Sequence, residues 1–254
     1  MSIEIKEEGR FKYVEKGEGE VIVLLHGLFG ALSNFEELLN YFSKTNTVIV
    51  PILPLYELEV KGTTVEGLAQ YVLEFVDYKG YKQVNYLGNS LGGHVGLVCT
   101  LEKPEIVKSL ILTGSSGLFE KAFGDTFPKR GDYEFIKQKT EFTFYDPKMA
   151  SKELVDEVFE IVNNRDKCLR VLYMAKSAMR HNLREELQNI TIPVLLIWGK
   201  NDIITPDFVA EEFHERLPNS ELIFIDECGH APMMEHPEVF NAHLAQFLQR
   251  INKK

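Results

Sequence analysis

The sequence predicts an α/β protein: a mostly parallel central sheet flanked by helices, with one helical insertion. Short aliphatic runs alternate with amphipathic stretches, the pattern of strands joined by crossover helices. Val21-Ile22-Val23-Leu24-Leu25 and Val194-Leu195-Leu196-Ile197 lack a polar alternate face, so they read as central strands covered on both sides. From about Leu118 to Leu187 the alternation stops, leaving helical patterns, many charges and no convincing strand.

In chain order the strands read as Phe11 to Glu15, Val21 to Leu25, Thr47 to Ile52, Gln83 to Leu87, Ser109 to Thr113, Val194 to Trp198 and Glu221 to Ile225. Thr64 to Lys79 places Val65, Leu68, Ala69, Val72, Leu73 and Val76 at helical spacing, and Gly80 is a plausible C-terminal stop. Pro206 to Leu217 reads as a helix with Thr205 as N-cap, Pro206 in the first position and Asp207 at the positive end of the dipole. A last helix from Pro237 to Ile251 repeats Phe240, Leu244, Phe247, Leu248 and Ile251 on one face. In the insertion, Lys152 to Asn163 and Lys167 to Ala178 are the clearest helices. The chain therefore divides into a core of residues 1–117 and 187–254 and a helical cap of residues 118–186.

Composition narrows the function. With 254 residues, 44% hydrophobic and 26% charged, the chain is an ordinary globular one with a packed core. A net charge of -10 repels phosphate backbones and anionic lipid, which argues against nucleic acid and membrane surfaces as partners. Cys99, Cys168 and Cys228 are odd in number and too far apart for a metal or redox motif, as in a reducing compartment. The N-terminus lacks the apolar stretch of a signal peptide, and no apolar run approaches a membrane span, so the expected location is cytoplasmic.

The chemistry is concentrated at strand ends. Asn85-Tyr86-Leu87 runs into Gly88-Asn89-Ser90-Leu91-Gly92-Gly93, and Val95, Leu97, Val98 and Leu101 follow at helical spacing. A Gly-x-Ser-x-Gly between strand and helix is a nucleophile elbow, a turn too tight for side chains at its glycines, which lifts the serine to a helix N-terminus. A serine hydroxyl needs a base, and the base needs an acid to fix its tautomer. Of seven histidines, His230 stands just past the last strand, in Cys228-Gly229-His230-Ala231. His94 lies inside the helix after the elbow, and His181, His214, His236 and His243 have polar helical neighbours that favour solvated roles. The acid should fall between serine and histidine in the chain; Asp202, in Gly199-Lys200-Asn201-Asp202, is preferred, with Asp226 as the rival. His26-Gly27-Leu28-Phe29-Gly30 ends another strand, where the Leu28 N–H is placed to join that of Leu91 in an oxyanion hole, with His26 orienting the loop.

With these four segments in this order, the sequence resembles the α/β-hydrolase superfamily over essentially its whole length. The resemblance implies a Ser90, His230 and Asp202 triad, with the insertion placed as that family's helical cap. Gly88 to Gly93, Ser33-Asn34-Phe35, Phe144-Tyr145-Asp146-Pro147 and Cys228-Gly229-His230 look like the carbon–carbon bond hydrolases that cleave ring-fission products of aromatic degradation. Two positions depart from that group: Val158 stands where its substrate-binding arginine aligns, and Met234 where it tends to have tryptophan. Arg165 and Arg180 are the nearby substitutes. Pro51 to Leu58 also lacks the Asp-x-Pro-Gly-x-Gly loop of related hydrolases, while His26 to Gly30 resembles small esterases and thioesterases.

The expectation is hydrolysis of a small carboxylic ester or thioester without a cofactor or metal. Asn89, Phe29, Phe144 and Met234 are expected to contact substrate, and Phe119, Phe123, Phe127, Phe142, Tyr145 and Tyr173 are further aromatic candidates for an apolar pocket. Carbon–carbon bond hydrolysis of a vinylogous diketone and a low-turnover ligand receptor on the same fold are the alternatives.

Overall fold

The computed structural model describes residues 4–30, 32–59, 62–121 and 129–253. Eight strands form one sheet: β1 (Lys6–Glu8), β2 (Phe11–Lys16), β3 (Glu20–Leu25), β4 (Asn46–Pro51), β5 (Val84–Asn89), β6 (Val107–Thr113), β7 (Val194–Gly199) and β8 (Ser220–Ile225). Their order is β1-β2-β4-β3-β5-β6-β7-β8; β1 with β2 and β2 with β4 pair antiparallel, and the remaining pairings are parallel. The Val194 strand is buried throughout its length, as its aliphatic run requires, yet it lies second from the edge and not at the centre. β1 is three exposed residues, too short and polar to read as a strand beforehand.

Side chains alternate between two cores, one on each face. Ile22 and Leu24 of β3 join Phe35, Leu38 and Phe42, the last two from α1 (Glu36–Phe42), while Val23 and Leu25 join Val72 and Phe75 of α2 (Val65–Lys79) and Val95 of α3 (Leu91–Glu102). α7 (Asp207–Arg216) lies on the same face as α2 and α3, adding Val209, Ala210 and Phe213 to that core. α8 (Pro232–Glu235) and α9 (Pro237–Asn252) lie with α1.

Helix ends follow local chemistry. Thr64 caps α2 by accepting from Gly67 N–H at 3.0 Å, and Gly80 ends it in the left-handed region at φ 69°. α7 departs from expectation, for Thr205 does not cap it. The Thr205 hydroxyl instead donates to Asp202 Oδ2 at 2.7 Å, and the helix begins one residue later, after Pro206.

Between residues 118 and 187 the described residues form three α-helices, one short 3-10 turn (Pro147–Met149) and no strand: α4 (Tyr133–Glu141), α5 (Lys152–Asn163) and α6 (Arg165–Arg180). α4 escaped the sequence pattern because it buries only Ile136 and Thr140. Asn164 starts α6 by accepting from both Asp166 N–H and Lys167 N–H at 3.1 Å, two residues before the expected start. The end of this segment is tied to the core: Leu183 N–H donates to the Gly117 carbonyl at 2.8 Å and Val65 N–H to Ser177 Oγ at 3.2 Å.

His181 is part of this tie and not a solvated side chain. Its Nδ1 is 3.0 Å from Nε2 of His94, the rings stack at 5.1 Å, and its Nε2 lies 3.6 Å from Glu66 Oε1. His94 is fully buried; desolvation, then the neighbouring His181, press its pKa down to about 3. Above pH 6.5 His94 is neutral in both folded and unfolded chains, whereas below it only the unfolded chain gains the proton, so stability falls with acidification from 6.5 toward 3. Between pH 7 and pH 5 this linkage amounts to about 2 kcal/mol. Urea unfolding of wild type and His94→Gln at both pH values should show that difference; an equal pH dependence in the two proteins would remove His94 as its source. The comparison is needed because Glu120, whose pKa is raised, titrates in the opposite sense over the same range.

Candidate active site

Four loops leave the C-terminal ends of β3, β5, β7 and β8, where open α/β sheets place their sites. Ser90 joins β5 to α3 with φ 55°, a left-handed conformation uncommon for a residue with a side chain. The turn closes only on glycine: a Cβ on Gly88 would stand 2.4 Å from the Gly92 carbonyl carbon, and one on Gly92 would stand 1.9 Å from Leu25 O. Gly92→Ala should therefore displace β3 from the elbow, with about 2 kcal/mol or more of stability lost in urea unfolding.

His230, at the end of the β8 loop, is buried, and its Nδ1–H donates to Asp202 Oδ2 at 2.8 Å. Asp202 is held in turn by Ile204 N–H (2.8 Å) and Thr205 N–H (3.0 Å) on Oδ1 and by the Thr205 hydroxyl on Oδ2. Burial opposes a charged His230 ring; the Asp202 carboxylate, aided by Glu120 and Glu235, outweighs it, and the net pKa is raised. Asp226, the rival acid, is exposed and takes no part in this arrangement. His26 uses both ring nitrogens: Nδ1–H donates to the Gly27 carbonyl (2.9 Å) and Nε2 accepts from Leu53 N–H (3.1 Å), which anchors the loop carrying Leu28.

Ser90 and His230 face one cavity of about 460 Å³, lined also by Leu28 and Leu91. Leu91 opens α3, so its N–H has no acceptor one turn earlier in the helix. Phe29, Phe144, Met234 and Asn89 all line this cavity. Asn89 is largely committed elsewhere, its Nδ2 donating to the Thr113 carbonyl (3.1 Å) and the His230 carbonyl (3.0 Å), so it fixes the histidine loop. Phe142 lines the cavity as well, and the inserted helices add Phe135, Val158, Val162 and Met174. Phe119, Tyr145 and Tyr173 are exposed and do not line it; Phe119 packs against Phe208 instead. Phe123 and Phe127 lie outside the described residues. Arg165 and Arg180 are exposed on α6, and no arginine lines the cavity among the described residues.

Two further polar features stand out. Asn34, known from the sequence only as part of Ser33-Asn34-Phe35, presents to the cavity wall a buried side-chain oxygen without a hydrogen-bond partner among the described residues. Glu120 is the one carboxylate among the described lining residues; burial raises its pKa to about 7, against the opposing pull of His230 and a hydrogen bond with Ser116. No motif marks Glu120, since it reaches the cavity through the path of the chain after β6.

A strand–serine–helix elbow, a histidine–aspartate pair and an apolar cavity at the C-terminal edge of such a sheet define a hydrolase architecture. The chain belongs to the alpha/beta hydrolase fold family, whose model matches residues 20–153 and 163–237. It is similar to the solved structure of MGS-MChE2, an alpha/beta hydrolase enzyme from the metagenome of lagoon sediments at Mar Chica, Morocco: 45% identity, TM-score 0.82, covering 98% of this chain and 99% of that one. It is 26% identical to a 2-hydroxy-6-oxo-6-(2'-aminophenyl)hexa-2,4-dienoic acid hydrolase of Metapseudomonas resinovorans, over 94% of this chain and 87% of that protein. It is 28% identical to a pimeloyl-[acyl-carrier protein] methyl ester esterase of Nitrosomonas europaea, over 60% of this chain and 66% of that protein. The protein is a hydrolase enzyme. Among the described residues no helix is long and apolar enough to cross a membrane.

Proposed function

We propose that this hydrolase cleaves small carboxylic esters or thioesters through an acyl-enzyme formed on Ser90. The observation that carries this reading is the His230–Asp202 pair, 2.8 Å apart and buried, opening into the cavity that Ser90 faces. His230 takes the Ser90 proton as Oγ attacks the carbonyl carbon, and Asp202 keeps that proton-accepting nitrogen, Nε2, free by binding Nδ1–H. The N–H groups of Leu28 and Leu91 hold the oxyanion of the tetrahedral intermediate. His230 then protonates the departing alkoxide or thiolate, and a water activated by the same ring releases the acid and restores Ser90. The inserted helices act as a cap that closes an apolar wall over the ester.

Carbon–carbon bond hydrolysis on the same triad is the second reading, favoured by the relative named for a dienoic acid substrate. The cavity speaks against it: Val158 and Met234 line the wall, and among the described lining residues there is no arginine whose guanidinium could pair with a dienoate carboxylate. Turnover of short p-nitrophenyl esters against a ring-fission dienone separates the two. Ester turnover is expected to dominate, and a dienone rate far above the ester rate overturns the proposal. Failure of both substrates, with Ser90 unlabelled by a fluorophosphonate, would move the chain to the receptor reading.

A further inference from the structure

Glu120 is the one carboxylate among the described residues lining this cavity, and the proposed mechanism does not use it. Its segment is pinned on both sides. Asn182 Nδ2 donates to the Leu118 carbonyl (2.8 Å), Leu183 N–H to the Gly117 carbonyl (2.8 Å) and Lys121 N–H to the Ile204 carbonyl (2.8 Å). Ser116, its hydrogen-bond partner, donates its own backbone N–H to the Ser90 carbonyl at 3.2 Å. The Glu120 carboxyl is thus fixed at the catalytic end of the cavity, close enough to His230 for each to shift the other. Asp202 offers a contrast, since its two oxygens accept from two backbone N–H groups, a hydroxyl and an imidazole. The Glu120 carboxyl has no such set of donors among the described residues, Ser116 being the one hydroxyl that acts on it, which leaves most of its lone-pair sites for whatever enters the cavity.

Nearby cations do not neutralise it. Lys121 and Lys139 also line the cavity, but Lys121 is exposed and the Lys139 ammonium lies over the rings of Phe135 (5.6 Å) and Phe142 (6.0 Å). Neither forms an ion pair with Glu120 among the described residues, and His230 is the charge that acts most on its carboxyl. A ligand group beside the scissile carbonyl therefore meets an acceptor, and a negatively charged one once the carboxyl ionises.

We propose that Glu120 sets the substrate class of this cavity: it accepts a hydrogen bond from a hydroxyl or amide N–H beside the scissile carbonyl and excludes substrates bearing a carboxylate there. The proposal rests on the serine hydrolase reading for the word substrate, but its selectivity is measurable without turnover. Calorimetric titration of the full chain at pH 8 with hexanamide and with hexanoate, ligands of matched shape, reads it directly. Wild type should bind the amide about tenfold or more tightly than the carboxylate, from the like-charge penalty in a desolvated site, and Glu120→Gln should lose most of that preference. Equal binding of the two ligands by wild type overturns the proposal, as does an unchanged ratio in Glu120→Gln. In kinetics, Glu120→Gln should raise kcat/KM for monomethyl succinate about tenfold relative to methyl butanoate. An equal change on both esters would assign Glu120 to tuning His230 and overturn substrate selection. Fluorophosphonate labelling of Ser90 tests the hydrolase reading separately, because the binding ratio does not depend on it.

Discussion

Ser90→Ala lowers kcat/KM on a p-nitrophenyl ester by about 10⁴-fold or more and abolishes labelling by a fluorophosphonate. The magnitude follows from what the substitution leaves. Without Oγ no acyl-enzyme forms, and the residual rate comes from water in a cavity that still binds and polarises the carbonyl. The effect should fall on kcat, since Ser90 is one residue in the lining of a cavity of about 460 Å³ whose apolar wall survives the change. Stability should hold: alanine keeps the same Cβ at φ 55° and removes only a hydroxyl. A variant that folds normally, as urea unfolding would show, and retains activity within tenfold of wild type would mean that another residue attacks the substrate.

How much of this was legible in the sequence differs from residue to residue. The elbow is local: Gly88 and Gly92 are demanded by contacts inside one strand–turn–helix unit, so five consecutive residues announce it. The order of serine, aspartate and histidine could also be read, because each stands at the end of an aliphatic strand that the pattern reveals. What could not be read depends on chain segments meeting from afar. Thr205 looks like a helix cap until Asp202 claims its hydroxyl and its N–H. His94 and His181 are 87 positions apart, and only the packing of α6 on the core sets the half-exposed His181 ring against the buried His94. Glu120 follows a glycine and two apolar residues without any pattern, and its place beside His230 is made by hydrogen bonds to residues 182, 183 and 204. Asn89 was legible as part of the elbow, but the elbow could not show that its amide would be spent on the His230 carbonyl.

Asp202→Asn should cost about 10⁴-fold in kcat, nearly as much as losing the nucleophile, although it replaces one oxygen by one nitrogen. The reason is proton direction. Oδ1 accepts from the N–H groups of Ile204 and Thr205, so the amide oxygen takes that place and its NH₂ takes the place of Oδ2. There it points hydrogens at the Thr205 hydroxyl and at Nδ1 of His230, both of which donate to Oδ2 in the parent protein. Thr205 can rotate its hydroxyl and become an acceptor. The imidazole can accept only by moving its proton to Nε2, and a protonated Nε2 cannot take the proton of Ser90. The variant should still fold, because both backbone donors keep an acceptor, so urea unfolding and kcat should part company. Asp226→Asn is the matched control: that carboxylate is exposed, and its amide should leave kcat within a factor of about two. If Asp226→Asn lost the activity and Asp202→Asn kept it, the acid would belong to the β8 loop, and the 2.8 Å pair would be a structural contact with no part in the reaction.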